Sequence, residues 1–249
     1  MTARWLTIFL DLPRERADEA EAFWAAVTGS AVSPRRGTSG EFATLLPPVG
    51  DPWLRVQRVA AGAGGSHLDV HVESLTEAAT RAVSLGARVV RREDDVIVLA
   101  SPGRLPFCVV PWAGERAVAE QRQSDGARLD QLCLDVPLPL WEQETVFWRD
   151  LLGAALRTGA RPEFAYLERS PEHVVRLLFQ RLDEAAPGQP VGAHVDFACG
   201  DAVDEVAATH VALGAVVEHA FRYWTVLVDP TGRRYCLTRR DPATGRLPG

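Results

Sequence analysis

The chain contains the same pattern twice. Phe23-Trp24 returns as Phe147-Trp148, Glu41-Phe42-Ala43 as Glu163-Phe164-Ala165, Gln57-Arg58 as Gln180-Arg181, and His67-Leu68-Asp69 as His194-Val195-Asp196. Leu85-Gly86-Ala87 returns as Leu213-Gly214-Ala215, and Cys108 as Cys236. The order is kept while the spacing drifts only between 122 and 128 residues, as expected for two copies of one module with small insertions in loops. The fold must therefore be made of two like parts and offers two equivalent sites. The copies are assigned to residues 1–112 and 127–249, with the polar, small-residue segment 113–126 as linker.

Composition narrows the partners. With 47% apolar residues the chain has enough to bury a core in each copy. The net charge of −6, with arginines scattered among acids and no lysine at all, leaves no basic stripe for nucleic acid. The apolar run Trp5 to Leu10 is too short for a signal peptide, and nothing approaches the ~20 apolar residues of a membrane helix. Four cysteines do not resemble the disulfide framework of a secreted domain, so a reducing cytoplasmic setting is expected.

Each copy divides again. Strands ending near an acid are read at Thr7–Asp11, His67–His71, Leu132–Asp135 and His194–Phe197, each followed by a helical stretch. Ala20, Phe23, Trp24 and Val27 mark one buried helical face, and Leu75, Ala78, Ala79, Ala82 and Val83 another. Leu140–Leu152 and Val203–Leu213 are their counterparts, and Gly29, Gly86, Gly153 and Gly214 fall where a C-terminal glycine belongs. Strand-like runs follow each helix: Glu41–Leu46 and Trp53–Val59 in the first half, then Ala87–Val90, Val96–Ala100 and Pro106–Val110, with Pro102-Gly103 and Pro230-Thr231-Gly232 as hairpin turns. Ala60–Gly65 and Asp183–Pro190 join the halves. The order per half is strand, helix, then about three strands.

That unit, paired and then duplicated, resembles the vicinal oxygen chelate superfamily, which includes glyoxalase I, extradiol dioxygenases, and bleomycin and fosfomycin resistance proteins. It is most similar to the bacterial glyoxalase-like domains common in actinobacteria, through Leu10-Asp11 with Ala22-Phe23-Trp24, Leu54 through Val59, His67-Leu68-Asp69-Val70, Leu85-Gly86-Ala87, and Ser101-Pro102-Gly103 through Phe107-Cys108. The resemblance covers about residues 4–112 and 127–240. It implies an α+β fold of two tandem modules, each of two βαβββ units forming a curled eight-stranded mixed sheet around a cavity. The same resemblance implies a site where family enzymes hold a divalent metal with His and Glu. The corresponding positions here are Phe9, Gln57, His67 and Cys108 in the first copy, and Cys133, Gln180, His194 and Cys236 in the second.

Phenylalanine cannot coordinate a metal and neutral glutamine is a poor substitute for carboxylate, so no metal or other cofactor is expected in the first copy. In the second, Cys133, His194 and Cys236 form an alternative set for zinc or another divalent metal, unless the cysteines are simply small strand residues. Strand alternation puts His67, Asp69 and His71 on one face, and likewise His194 and Asp196. A His-x-Asp pair suits a general base or, more simply, an anchor for a ligand. Glu41 and Glu163 are candidates to reach the cavity as acids or anchors, and Trp53, Tyr166, Tyr223 and Trp224 to stack on a planar ligand. The expected function is small-molecule binding without the usual metal, with His67, Gln57, Asp69, Phe9, Cys108, His194, Gln180, Glu41 and Glu163 as ligand contacts. The alternative is a glyoxalase-type lyase or isomerase acting through His194 and Asp196, or zinc, in the second copy. Whether the chain is an enzyme stays open. Since tandem copies supply what single modules gain by pairing, a monomer or a homodimer is expected.

Overall fold

Strand and helix alternate in the computed structural model of the protein, which describes residues 3–60, 64–117 and 126–247. The first copy runs β1 (Trp5–Pro13), α1 (Ala17–Thr28), β2 (Ala31–Val32), β3 (Phe42–Leu46), β4 (Leu54–Val59), β5 (Gly65–Val72), α2 (Leu75–Ser84), β6 (Arg88–Arg92), β7 (Ile97–Ala100) and β8 (Pro106–Pro111). The second runs β9 (Arg128–Pro137), α3 (Trp141–Leu152), β10 (Leu156–Thr158), β11 (Phe164–Leu167), β12 (Arg176–Leu182), β13 (Gly192–Ala198), α4 (Val203–Ala212), β14 (Val216–Ala220), β15 (Trp224–Val228) and β16 (Arg234–Thr238). Each half is thus βαβββ, and the missing third strand of the first halves is β2 and β10, two or three residues long. Residues 118–125 of the expected linker, and 61–63 between the halves, lie outside the described residues.

The two copies form two curled eight-stranded sheets of identical order, β2-β3-β4-β1-β5-β8-β7-β6 and β10-β11-β12-β9-β13-β16-β15-β14. Both are mixed: β5 pairs with β8 and β13 with β16 in parallel, while the outer pairs are antiparallel. The helices end where the glycines were expected to stop them. Gly29, Gly86, Gly153 and Gly214 all take positive φ, a conformation that costs glycine little. Ala20, Phe23, Trp24 and Val27 are all buried, as the spacing predicts. Val83 is not: it stands 47% exposed, because alanines 78, 79 and 82 alone make the inward face of α2.

The sheets follow the copies, but the packing does not. One compact unit gathers Met1–Phe9, Ser66–Ala117 and Leu132–Ala193; the other gathers Leu10–Gly65, Val118–Gln131 and His194–Gly249. Each unit therefore holds one helix from each copy, and its core is composite. In the first, Phe107 of β8 lies 5.8 Å and 5.1 Å from Phe147 and Trp148 of α3. In the second, Phe23 and Trp24 of α1 pack on Phe197, Tyr235 and His210. The expectation of a core inside each copy gives way to two cores, each drawn from both.

Burying a tryptophan leaves its indole N–H in need of an acceptor, and the two units answer with the same clamp built from different residues. In one, Trp148 donates to Glu144 Oε1 (2.8 Å), and Glu144 Oε2 accepts the backbone N–H of Gly103 (2.7 Å). In the other, Trp24 donates to Asp229 Oδ2 (2.9 Å), and Asp229 Oδ1 accepts from the backbone of Thr231 (2.8 Å) and Arg233 (3.0 Å). A carboxylate thus ties a helix to a hairpin turn in each unit. It comes from the helix in one case and from the turn in the other. Gly103 is required by this geometry: a Cβ there would meet Val191 Cγ2 at 2.4 Å and Glu144 Oε2 at 2.8 Å.

Both clamps carry stability predictions. Burial raises the Glu144 carboxyl above its ordinary pKa despite its hydrogen bonds from Ser101, Trp148 and Gly103. Glu144→Ala leaves two buried N–H groups unsatisfied and is expected to cost about 2–5 kcal/mol in urea denaturation. A loss below ~1 kcal/mol would mean the clamp is dispensable. His210 is fully buried beside the Tyr235 hydroxyl (3.0 Å), and desolvation lowers its pKa to about 4. It is neutral in the fold, so its contribution is complete above the unfolded value near 6.5 and is lost as pH falls toward 4, a change of about 3 kcal/mol. Denaturation curves of His210→Leu across that window should show a flatter pH dependence than the parent protein.

Candidate functional site

The aromatic residues Phe107, Phe197 and Tyr235 pack on the helices, so strand alternation sends Cys108, Asp196 and Cys236 to the opposite face. Parallel pairing then assembles a polar corner in each sheet. On the second sheet Asp196 of β13 lies opposite Cys236 of β16, and His194 lies two residues before Asp196 on the same face. Cys236 Sγ is 3.6 Å from His194 Nε2, and Asp196 Oδ1 is 3.4 Å from the same nitrogen. Asp196 Oδ2 accepts a hydrogen bond from Gln131 Nε2 of β9, whereas Oδ1 makes no hydrogen bond among the described residues. The nitrogen, oxygen and sulfur all lie within 4.8 Å of one another.

One imidazole nitrogen that faces both a carboxylate and a thiol has two states open to it. With a proton, Nε2 is a donor held toward Asp196. Without one, the lone pairs of nitrogen, oxygen and sulfur converge, which is an arrangement suited to a cation. Asp196 is 2% exposed and Cys236 8%, while His194 is half-buried, so its imidazole is the part of the corner that solvent reaches most readily.

The first sheet repeats this corner, with a ring stacked on its imidazole. Asp69 of β5 lies opposite Cys108 of β8, and His67 Nε2 is 3.7 Å from Asp69 Oδ1. Phe9, however, stacks flat on the His67 ring, with centroids 4.7 Å apart and planes 5° from parallel. The equivalent residue of the second copy, Cys133 on β9, is buried and too small to act as such a cap. Elsewhere in the first sheet a hydroxyl, an imidazole and a carboxylate adjoin: Thr7 Oγ1 is 2.9 Å from His71 Nε2, and His71 Nδ1 is 3.2 Å from Glu115 Oε1. Because Thr7 is fully buried, this chain is a tie and not a reactive centre. Thr7 and Gln131 occupy equivalent strand positions, so extending the alternation two residues back from Phe9 and Cys133 would have pointed to both.

The other candidate residues sit as follows. Gln57 pairs with Phe42 across β4 and β3, and Gln180 with Phe164 across β12 and β11; both are half-buried. Glu41 accepts the backbone N–H of Ser39 at 2.8 Å, and Glu163 pairs with Arg161 at 2.6 Å, so each carboxylate is engaged by its own loop. Among the aromatics, Trp53 is core and donates to the carbonyl of Leu129. Tyr166 lies under Arg176, Tyr223 under Arg222, and Trp224 stacks on Phe221. All four cysteines are free thiols.

The profile of a glyoxalase-like domain matches residues 7–110 and again 131–238. The chain belongs to that family. It is a tandem duplication within the vicinal oxygen chelate superfamily. Among curated proteins no significant match is found. Solved structures share the fold at low identity. The Mn(II)-bound glyoxalase from Novosphingobium aromaticivorans aligns over 98% of this chain and 85% of its own, with a TM-score of 0.65 and 16% identity. A single-residue variant of homoprotocatechuate 2,3-dioxygenase from Brevibacterium fuscum aligns over 96% and 72%, with a TM-score of 0.65 and 15% identity. The 2,2',3-trihydroxybiphenyl 1,2-dioxygenase from Sphingomonas wittichii strain RW1 aligns over 93% and 88%, with a TM-score of 0.60 and 15% identity. Among the described residues no helix is long and apolar enough to cross a membrane.

The cap on the first corner can be tested. Phe9→Cys gives the first copy the residue of the second and should uncover His67, raising its rate of modification by diethyl pyrocarbonate several-fold while His194 in the same molecule stays unchanged. The lost ring should cost roughly 2–4 kcal/mol of stability. An unchanged His67 rate would show that Phe9 is not what shields it.

Proposed function

We propose that this glyoxalase-like protein binds a small organic molecule in its second module, against the corner formed by His194, Asp196 and Cys236, while the first module is a structural partner. The observation that carries this reading is the convergence of His194, Asp196 and Cys236 within 4.8 Å in the second copy, where a cysteine, Cys133, stands at the position from which Phe9 stacks on His67 in the first. A sheet face with a few convergent polar groups suits a small ligand with one polar end. His194 would contact that end, Asp196 would hold the imidazole in orientation, and Gln131 would hold Asp196. The neighbours whose names include homoprotocatechuate, trihydroxybiphenyl and catechol suggest aromatic diols as first probes. A reducing, cytoplasmic setting accords with the free thiols.

A second reading is favoured by the convergence of three donor atoms. Manganese and other hard cations prefer oxygen donors, so an imidazole, a carboxylate and a thiolate fit zinc better than the Mn(II) of the glyoxalase neighbour. His194, Asp196 and Cys236 would hold the ion, which would supply Lewis-acid chemistry for a lyase or isomerase reaction. Asp196 Oδ1, buried and without a hydrogen bond among the described residues, is the atom most in need of it.

Titration calorimetry with catechol and related aromatic diols tests the first reading. His194→Ala should weaken binding at least tenfold with little change in melting temperature, and His67→Ala should leave binding unaltered. Equal losses in both variants, or a collapse of folding in His194→Ala, would contradict the assignment to the second module. Metal analysis tests the second reading: one zinc per chain, lost in Cys236→Ala, supports it, and a metal-free protein after zinc dialysis opposes it.

A further inference from the structure

In the first module ions bridge the helix α1 to the neighbouring strands. Arg35, just past β2, pairs with Glu21 of α1, and Arg58 of β4 pairs with Asp18 and lies 3.9 Å from Glu21. The second module keeps the strand arginine, as Arg181, but changes the helix. At the offset that relates Phe23 to Phe147, Ala17 at the start of α1 corresponds to Trp141 at the start of α3, and Glu21 corresponds to Thr145. Thr145 turns its hydroxyl back to the carbonyl of Trp141 (2.8 Å). Glu142, the counterpart of Asp18, makes no ion pair among the described residues. Arg181 is therefore without a helix carboxylate. Its Nε donates to Asp183 (2.8 Å), its Nη1 to the carbonyl of Pro162 (3.4 Å), and its guanidinium lies 6.0 Å from the centre of the Trp141 ring.

Beside that arginine lies a pocket of about 280 Å³, lined by Trp141, Leu156, Thr158, Pro162 and Ala165 among others. Its hairpin side is fixed by the backbone. Gly159 donates to the carbonyl of Phe164 at 2.8 Å, and a Cβ on Gly159 would meet Phe164 Cβ at 2.7 Å. Its helix side is the indole of Trp141, which meets Phe179 edge-on at 6.5 Å. Trp24, Trp53, Trp112 and Trp148 each give the indole N–H to an oxygen, whereas that of Trp141 makes no hydrogen bond among the described residues. None of the lining side chains is a carboxylate.

We propose that this pocket binds a small aromatic carboxylate, at a site that shares no residue with the His194 corner. The ligand carboxylate takes the part that Glu21 plays in the first module and faces Arg181, whose Nη2 makes no hydrogen bond among the described residues. A guanidinium matches a carboxylate through its planar fork of donors. The ring lies along Trp141 and Leu156. A volume at the low end of ligand pockets limits the occupant to a single ring. A cationic ligand would set its charge against Arg181, and a purely apolar one would leave both the guanidinium and the indole N–H unanswered.

Titrating the full chain with sodium benzoate to about 10 mM, followed through the indole N–H resonances in proton–nitrogen NMR spectra, tests this. The Trp141 resonance, assigned by its loss in Trp141→Phe, should shift saturably with a Kd on the order of 0.1–1 mM. Benzamide, of the same size but without the charge, should bind at least fivefold more weakly. Arg181→Gln should weaken benzoate binding at least fivefold with an unchanged melting temperature, and Thr145→Glu, which returns the helix acid of the first module, should weaken it as much. His194→Ala should leave it unaltered, which separates this site from the one proposed above. An unmoved Trp141 resonance, benzamide binding as tightly as benzoate, Arg181→Gln or Thr145→Glu binding like the parent, or an equal loss in His194→Ala would each overturn the proposal.

Discussion

The bond from a buried indole to a buried carboxylate is the constraint around which the rest is arranged. Trp24 and Trp148 are too large to be left out of the core and too polar at one atom to enter it without an acceptor. Asp229 and Glu144 supply that acceptor, and each uses its second oxygen to fix a hairpin turn. The helix of one copy is thereby fastened to a turn of the other inside each compact unit. That is why the cores are composite although the sheets are not. The tandem architecture is then more than two domains in a row, because either copy alone lacks half of each core.

Once the cores are settled on one side of each sheet, the other side is free to differ. The first sheet spends this face on ties: Phe9 on His67, and Thr7 and Glu115 on His71. The second keeps the His-x-Asp and cysteine corner, replaces the phenylalanine with cysteine and supports the aspartate from Gln131. Duplication relaxes selection on one of two equivalent sites. The proposed ligand site is placed in the second copy for this reason.

Much of this was legible in the residues. The recurring Phe-Trp pair, the glycines after each helix and the Pro-Gly turns act locally, so helices, strands and the duplication follow from the chain itself. Alternation also placed His67 with Asp69, and His194 with Asp196, on shared faces, because a strand leaves no choice. Two short strands, β2 and β10, escaped because two or three residues carry no periodicity. Asp229 and Glu144 could not be matched as partners of the tryptophans, since they occupy non-equivalent positions in the two copies and meet them only through tertiary packing. The roles of Glu41 and Glu163 were illegible for a similar reason: a loop carboxylate can turn toward its own backbone or into a cavity with the same sequence, and here Ser39 and Arg161 claim them.

The composite cores are tested most directly by dividing the chain. Residues 1–117 and 126–249, expressed separately, should each lack a cooperative thermal transition and slowly exchanging indole protons as monomers, and mixing them should restore both. A monomeric fragment that melts cooperatively by itself, with Trp24 or Trp148 protected from exchange, would contradict the shared-core account.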